Sequence, residues 1–249
     1  MMRIITGMHR SGTSLVAQLL YEAGAPMGDP ETFYRPDRWN PDGYFEQPDI
    51  HAINMPLING PWGRLAYFWL PSEKTILKRS ARCSEQIATA AERYRDAVVK
   101  ECRFCLTLTA WQRYGAEFEK ILICLREPHA VAISLWRRNR IPKALAFHLW
   151  VEHNRRILER AGGAQTHVVY YPHLLHPERY DRELASMLEF LNLPKERQER
   201  EALWARCVKA DYNHARRSVA PESYPPRVQT LWETLMEQHQ GAVFLEGRA

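Results

Sequence analysis

The chain has 249 residues, 45% of them hydrophobic, 25% charged and 11% aromatic, with a formal net charge of +5 at neutral pH. That composition supports a sizeable buried core and excludes disordered, collagenous and low-complexity classes. The mild basic balance suits an anionic ligand and does not call for nucleic acid.

Arg3–Thr6 is a short β-biased run. It is entered from Met1 without a charged leader segment, so no signal peptide is expected. No apolar run approaches the roughly 18 residues that a membrane helix needs, and a cytoplasmic chain is the expectation. Thr13–Glu22 has helical spacing, with Leu15, Leu19 and Leu20 on one face and Gly24 as the stop. Residues 26–71 break the rhythm: they hold eight of the sixteen prolines and nine of the 27 aromatics. Such a stretch predicts no regular helix or central strand. It reads as an irregular insertion, a lid or binding loop or else a surface excursion, within a single domain spanning 1–249.

Val98–Lys100 marks a second strand, followed by a helical stretch to Tyr114 and a stop at Gly115. Cys102 and Cys105 form a Cys-x-x-Cys, but five cysteines without a second pair at zinc-finger spacing read as half-buried thiols. Lys120–Leu125 is a continuous apolar run, as in strands buried within a parallel sheet. His129–Asn139 and Lys143–Arg160 are helical in pattern, Thr166–Tyr171 is another strand, and Tyr180–Leu191, Glu196–Ala210 and Arg227–Gln238 are helical. Alternation of strands and helices predicts an α/β fold: a three-layer parallel sheet with helices on both faces and a helical C-terminal part. In such sheets ligands sit beyond the carboxyl ends of the strands, which directs attention to the residues after Thr6, Val99, Leu125 and Tyr170.

After the first strand comes Gly7-Met8-His9-Arg10-Ser11-Gly12-Thr13-Ser14, running into a helix. The G-x-x-x-x-G-T-S spacing in a strand–turn–helix context is that of a phosphate cradle, in which main-chain N–H groups and the helix N-terminus face the anion. A nucleoside-triphosphate loop carries lysine where Thr13 stands; here the cation is Arg10, inside the loop. The run Lys120–Leu125 is followed by Arg126, where a magnesium-holding carboxylate would stand. Both departures favour an anion neutralised by protein cations with no metal. A metal-dependent small-molecule kinase with a degenerate loop, and a non-catalytic nucleotide-binding protein, are the alternatives.

The loop His9-Arg10-Ser11-Gly12-Thr13-Ser14 resembles the 5′-phosphosulfate loop of sulfotransferases that use 3′-phosphoadenosine-5′-phosphosulfate (PAPS). A second signature is similar too: a strand, then Arg126-Glu127-Pro128-His129-Ala130-Val131-Ala132-Ile133-Ser134. Lys100-Glu101-Cys102-Arg103 resembles the family's Lys-Asp-Pro-Arg element with both cations kept. Val169-Tyr170-Tyr171-Pro172-His173-Leu174-Leu175 resembles the Tyr-Glu-Asp-Leu-Leu element in its Tyr170 alone, and Asn40-Pro41-Asp42-Gly43-Tyr44-Phe45-Glu46 resembles an Asn-Pro-x-Gly-Tyr-Phe-Glu element of bacterial members.

The resemblance, which spans residues 3–195, implies a P-loop-like fold and transfer of a sulfonate from PAPS to a hydroxyl or amine by in-line displacement. It implies that Arg10, Ser11, Gly12, Thr13 and Ser14 hold the 5′ end, that Arg126 and Ser134 hold the 3′-phosphate, and that Tyr170 lies near the adenine. Arg10 and Lys100 would offset charge on the leaving group. Glu46 is the favoured general base, with His51, Glu31 and Asp49 as alternatives. Trp39, Trp62, Tyr67 and Trp69 are candidates for an acceptor wall, and Arg216, Arg217 and Ser218 for closure over the 3′-phosphate. The acceptor, a small molecule, glycan or peptide, is not specified by these motifs, nor is the oligomeric state.

Overall fold

The structure is a computed structural model that describes residues 1–37, 40–60, 63, 69–209 and 223–245. Among them, four strands form one all-parallel sheet: β1 (Met2–Thr6), β2 (Val98–Lys100), β3 (Phe118–Leu125) and β4 (Gln165–Tyr170), in the order β2-β1-β3-β4. The helices are α1 (Thr13–Glu22), α2 (Pro48–Asn59), α3 (Glu73–Ser80), α4 (Ser84–Arg93), α5 (Phe104–Arg113), α6 (Pro128–Asn139), α7 (Lys143–Arg160), α8 (Tyr171–Leu174), α9 (Tyr180–Phe190), α10 (Arg197–Cys207) and α11 (Pro226–Leu245).

The period-two geometry of the strands explains why β3 is apolar throughout. Ile121, Ile123 and Leu125 join Ile4, Val99 and Val168 on one face, packed by Phe104, Leu108 and Trp111 of α5 and Leu149, Trp150 and Ile157 of α7. Leu122 and Cys124 join Ile5, Val98 and Val169 on the other, packed by Leu15, Val16, Leu19 and Leu20 of α1 and Leu184, Met187 and Leu188 of α9. Both faces are covered, so this is the expected three-layer α/β architecture. β2 lies on one side of β1 and β3 on the other, and the strand order therefore reverses between β1 and β3. Beyond their carboxyl ends opens the crevice in which open α/β sheets bind ligands.

The structure corrects the expectation that residues 26–71 hold no regular helix, because α2 spans Pro48–Asn59. Pro48 occupies the first turn, where a missing N–H breaks no intrahelical bond. Pro56 does remove one bond inside the helix, but burial of Ile50, Ile53, Asn54, Leu57 and Ile58 along one side offsets the loss. Asn54 Oδ1 fastens that side by accepting from Thr107 Oγ1 and Trp111 Nε1 of α5, each at 2.8 Å. The fourth strand is shifted by one residue from the expected Thr166–Tyr171: it begins at Gln165, and Tyr171 leaves the sheet and begins α8. The thiols of Cys102 and Cys105 are fully buried instead of half-buried, with Sγ atoms 3.3 Å from the hydroxyls of Thr13 and Thr6 respectively.

Candidate functional site

The loop between β1 and α1 is shaped by close approach. Gly7 has φ 144°, and a Cβ there would lie 2.5 Å from the carbonyl oxygen of Cys124 on β3. Gly12 has φ 87°, and its Cβ would lie 1.9 Å from the ring of Tyr171. Only glycine fits either place. Arg10 is itself left-handed, at φ 72°. Gly12 is the N-cap of α1 and no side chain caps this helix, so the positive end of its dipole is offered to an outside anion. Ser11 Oγ is buried without a hydrogen-bond partner, whereas Ser14 Oγ accepts from Asn40 Nδ2 at 3.0 Å.

Three guanidinium groups gather over this loop. Arg10 donates from Nε to Ser134 Oγ at 2.8 Å, and Arg126 donates from Nη1 to the carbonyl of Arg10 at 3.1 Å. The Arg126 guanidinium also stands 5.2 Å from the centre of the Tyr171 ring. Arg138, one turn beyond Ser134 on α6, donates to Tyr44 Oη at 3.3 Å. Burial, together with the charges of Arg138 and Arg126, lowers the pKa of Arg10 from its ordinary value. Charge of one sign crowded into a partly buried place is the electrostatic signature of an anion site. Arg10, Ser14, Asn40, Tyr44, Arg126 and Tyr171 line the cleft between these groups.

Tyr170 faces elsewhere. Its ring packs against those of His173, Trp232 and His239, and its hydroxyl donates to Glu127 Oε1 at 2.7 Å. Burial and the neighbouring Glu127 charge raise its pKa. The adjacent Tyr171, which no motif marks in the sequence, has its ring against Gly12 and forms a wall of the cleft. In the sequence Tyr44 is marked only by the Asn40–Glu46 motif, and no motif marks Arg138.

Beside the loop, at the end of β2, lies a buried cluster of charge. Lys100 is 2% exposed and Glu46 7%, and the two form a close ion pair. The aromatic residues around Glu46 fix its position. Phe45 packs on Tyr21 and Phe33 with ring centres 5.7 and 6.0 Å away, and Glu46 O accepts from the amide of Tyr34 at 3.0 Å. Burial acts to raise the Glu46 carboxyl, but the charges of Lys100 and Arg103 outweigh it and hold the group below its ordinary value.

Arg103 belongs chiefly to Glu101, with Nη1 2.7 Å from Glu101 Oε1 and 3.9 Å from Glu46 Oε2. His51 Nδ1 lies 3.8 Å from a carboxylate oxygen of both Glu46 and Glu101. Burial, then Arg103, lower the His51 pKa to about 4, so its ring is neutral near pH 7. The structure thus brings Glu46, His51 and Lys100 together. Asp49 is instead engaged by Tyr94 Oη at 3.0 Å and Arg93 at 3.3 Å, and Glu31 is solvent-exposed on a short turn.

His9 lines a small cavity with Arg103 and His153, its ring 5.8 Å from that of His153 and edge-on to it. Burial first, then Arg103, hold its pKa well below the ordinary histidine value. Trp69 is 79% exposed. Trp39, Trp62, Tyr67, Arg216, Arg217 and Ser218 lie outside the described residues.

No protein-family model matches the sequence, and no curated protein matches it. Solved structures do. The sulfotransferase domain of the Synechococcus PCC 7002 olefin synthase is similar over 95% of this chain and 94% of its own, at TM-score 0.56 and 20% identity. A sulfotransferase domain from the curacin biosynthetic pathway is similar over 94% of this chain and 96% of its own, at TM-score 0.51 and 15% identity. The sulfotransferase STF9 from Mycobacterium avium is similar over 98% of this chain and 75% of its own, at TM-score 0.51 and 16% identity. The chain has the sulfotransferase fold.

Proposed function

We propose that this chain, built on the sulfotransferase fold, transfers a sulfonate from PAPS to a hydroxyl or amine acceptor. The observation that carries the reading is a juxtaposition at the carboxyl ends of the strands. An uncapped glycine loop bearing Arg10 meets Arg126 and Ser134 at the reversal between β1 and β3, with Lys100 and Glu46 beside it at the end of β2.

The residues fit the donor. Ser11 Oγ, buried without a protein partner, and the dipole of the uncapped α1 suit the phosphosulfate end. Arg10 and the loop from Ser11 to Ser14 would hold that end; Arg126 and Ser134 would hold the 3′-phosphate, and Tyr170 would lie on the adenine side. A guanidinium has five donors, so Arg126 keeps several after giving one to the loop carbonyl. When bound, PAPS supplies the sulfonyl group, which passes to the acceptor oxygen or nitrogen as the bond to the phosphate oxygen breaks.

The chain's own part is positioning and charge. Glu46 takes the acceptor proton, and a positioned base is worth about 10²–10⁴-fold. Arg10 and Lys100 offset the charge that grows on the departing phosphate oxygen, each worth about 2.7–4 kcal/mol by comparison with other oxyanion contacts. Residues 26–71 would close over the acceptor, a small molecule, glycan or peptide. Among the described residues no helix is long and apolar enough to cross a membrane, in keeping with the proposal of a cytoplasmic enzyme.

Calorimetry with 3′,5′-adenosine bisphosphate (PAP), with and without a chelator, tests the donor assignment. Equal, tight binding in both is the expected result; absent binding, or binding lost to the chelator, overturns it. Labelled PAPS offered to pooled acceptor classes then tests transfer, and PAP binding without label incorporation into any pool would favour a non-catalytic nucleotide-binding protein.

A further inference from the structure

The Lys100–Glu46 pair poses a problem for the transfer reading. A carboxylate locked to a buried ammonium is a poor proton acceptor, and an ammonium locked to a carboxylate does not stabilise a leaving group. We propose that Lys100 changes partner. It neutralises Glu46 while no donor is bound and swings to the phosphosulfate when one is, so Glu46 is freed to accept a proton only when the donor is in place. Glu101 is the positioning residue of this exchange: it withholds Arg103 from the carboxylate that Lys100 vacates. The inference rests on the sulfotransferase reading and deepens it.

Geometry supports each part. Lys100 pairs in register with Ile5 of β1, two residues before Gly7, so its ammonium starts beside the loop. Thr6 Oγ1 donates to Glu101 O at 3.0 Å and Thr13 Oγ1 lies 3.3 Å from Cys102 Sγ, which pins the backbone after Lys100 to both ends of the loop. The lysine stem alone has to move, and a flexible ammonium with three rotatable donors exchanges partners more readily than a forked guanidinium.

Arg103 is the other cation near Glu46. It cannot follow, because Glu101 binds it twice: through Nη1 at 2.7 Å and through its amide at 2.9 Å. Glu101 is 1% exposed, so it has no solvent to turn to instead. The groups around the Glu46 carboxylate are Lys100, Glu101 and Arg103 from the end of β2 and His51 from α2; Tyr44 of its own segment faces Lys100, and the Tyr34 amide binds the main-chain oxygen of Glu46. His51 is neutral near pH 7 and does not replace the lost cation. Once Lys100 leaves, its charge and hydrogen bond no longer oppose burial, and the more distant Arg103, held by Glu101, offsets burial only in part; burial favours the protonated form. An acceptor bound without the donor would meet a base still masked by Lys100.

The test follows the carboxyl carbon of Glu46 by NMR in the full chain with δ-¹³C-labelled glutamate, the signal assigned by its loss in Glu46→Gln. Saturating PAP should raise the Glu46 titration midpoint by at least about one pH unit, a tenfold change in proton affinity. In Lys100→Met the midpoint should be high with or without PAP. In Glu101→Gln it should stay low even with PAP bound, because Arg103 turns to Glu46, while PAP affinity measured on the same sample changes by less than about twofold. Thermal melts establish that each variant is folded, and Glu101→Gln carries the test if Lys100→Met is not. PAP binding with an unmoved midpoint overturns the partner exchange alone. PAP failing to bind overturns the transferase reading and the exchange with it.

Discussion

Arg126 ties the end of β3 to the crest of the loop after β1, its Nη1 donating to the main-chain oxygen of Arg10 across 3.1 Å. Arg10 holds a left-handed backbone at φ 72°, a conformation that costs a non-glycine residue roughly 1–2 kcal/mol. Strain of that kind persists where its surroundings over-determine it, and here the surroundings are Arg126 from one side and Ser134 from the other. Arg126 is therefore a loop brace as well as a candidate phosphate ligand.

Replacing Arg126 by alanine should weaken PAP binding by at least about tenfold, since a hydrogen bond to a charged group is worth about 1.5–3 kcal/mol. AMP, which lacks the 3′-phosphate, should lose less, so that the preference for PAP over AMP shrinks. Isothermal titration with both nucleotides checks this. An undiminished preference would remove Arg126 from the 3′-phosphate site and leave it only the role of brace.

Gly12 meets Tyr171 more closely than any side chain permits. A Cβ would fall 1.9 Å from Cδ2 of the ring, at a φ of 87°. Gly12→Ala combines left-handed strain with overpacking, each about 1–3 kcal/mol, and should lower the melting temperature by several degrees. Tyr171→Ala should relieve the steric part, so that Gly12→Ala costs less in that background. Additive effects of the two substitutions on stability would show that the ring does not set the loop.

How much of this was legible in the sequence depended on locality. The bounds of α1 and α7 were read to the residue, because a run of aliphatics at helical spacing ends at identifiable stops. The alternation behind the apolar run of β3 was legible for the same reason. α3 and α4 were not seen: their described buried residues are only Ile76 and Ser80, and Ile87, Ala90 and Ala91, too narrow a stripe to stand out. α2 was obscured by its two prolines. In the candidate site, Gly7, Arg10 and Gly12 announced themselves through spacing. The Lys100–Glu46 pair did not, because its partners are 54 positions apart and their contact exists only after the sheet forms. Tyr171 was missed because it is distinguished from Tyr170 only by which of them leaves the strand.

Asn54 is a buried polar junction between α2 and α5. Its Oδ1 accepts from both Thr107 and Trp111 at 2.8 Å. Asn54→Leu keeps the branched shape and removes the acceptor, stranding two buried donors at about 1–3 kcal/mol each, although the hydroxyl of Thr107 also reaches Arg103 O. Stability to urea should fall by about 2–4 kcal/mol, with Trp111 fluorescence reporting the loosened contact. An unchanged urea midpoint would show that the two donors find other partners.

The thiols provide a chemical test of the core. Cys83 is half-buried, and Cys102, Cys105, Cys124 and Cys207 are buried. Burial raises the thiols of Cys102 and Cys124, and that of Cys105 to about 12, which keeps them protonated and unreactive near pH 8. A thiol reagent should modify Cys83 first in the native chain and reach all five only after unfolding. Rapid native reaction at Cys102 or Cys105 would show that the Cys-x-x-Cys is accessible and reactive in the folded chain.

Acid should destabilise the fold through its buried histidines, His153 and His167 among them. His153 sits behind the loop with Nδ1 2.7 Å from Leu149 O, and His167 is stacked on Phe190 with Nε2 3.0 Å from Ser186 Oγ. Burial lowers the pKa of each to about 4. In the unfolded chain both titrate near 6.5. Between those two values the unfolded state carries more protons than the folded one, so stability rises with pH. The contribution of the pair is whole above about pH 6.5 and is lost progressively as pH falls toward 4, at about 1.4 kcal/mol per unit for each histidine. Urea unfolding at about pH 7, 6 and 5 measures the slope. His167→Gln keeps a partner for Ser186 and removes one titrating group, so the slope should fall by up to about 1.4 kcal/mol per pH unit while His9, His51 and His153 continue to contribute; a slope unaltered by that substitution would place the acid sensitivity elsewhere.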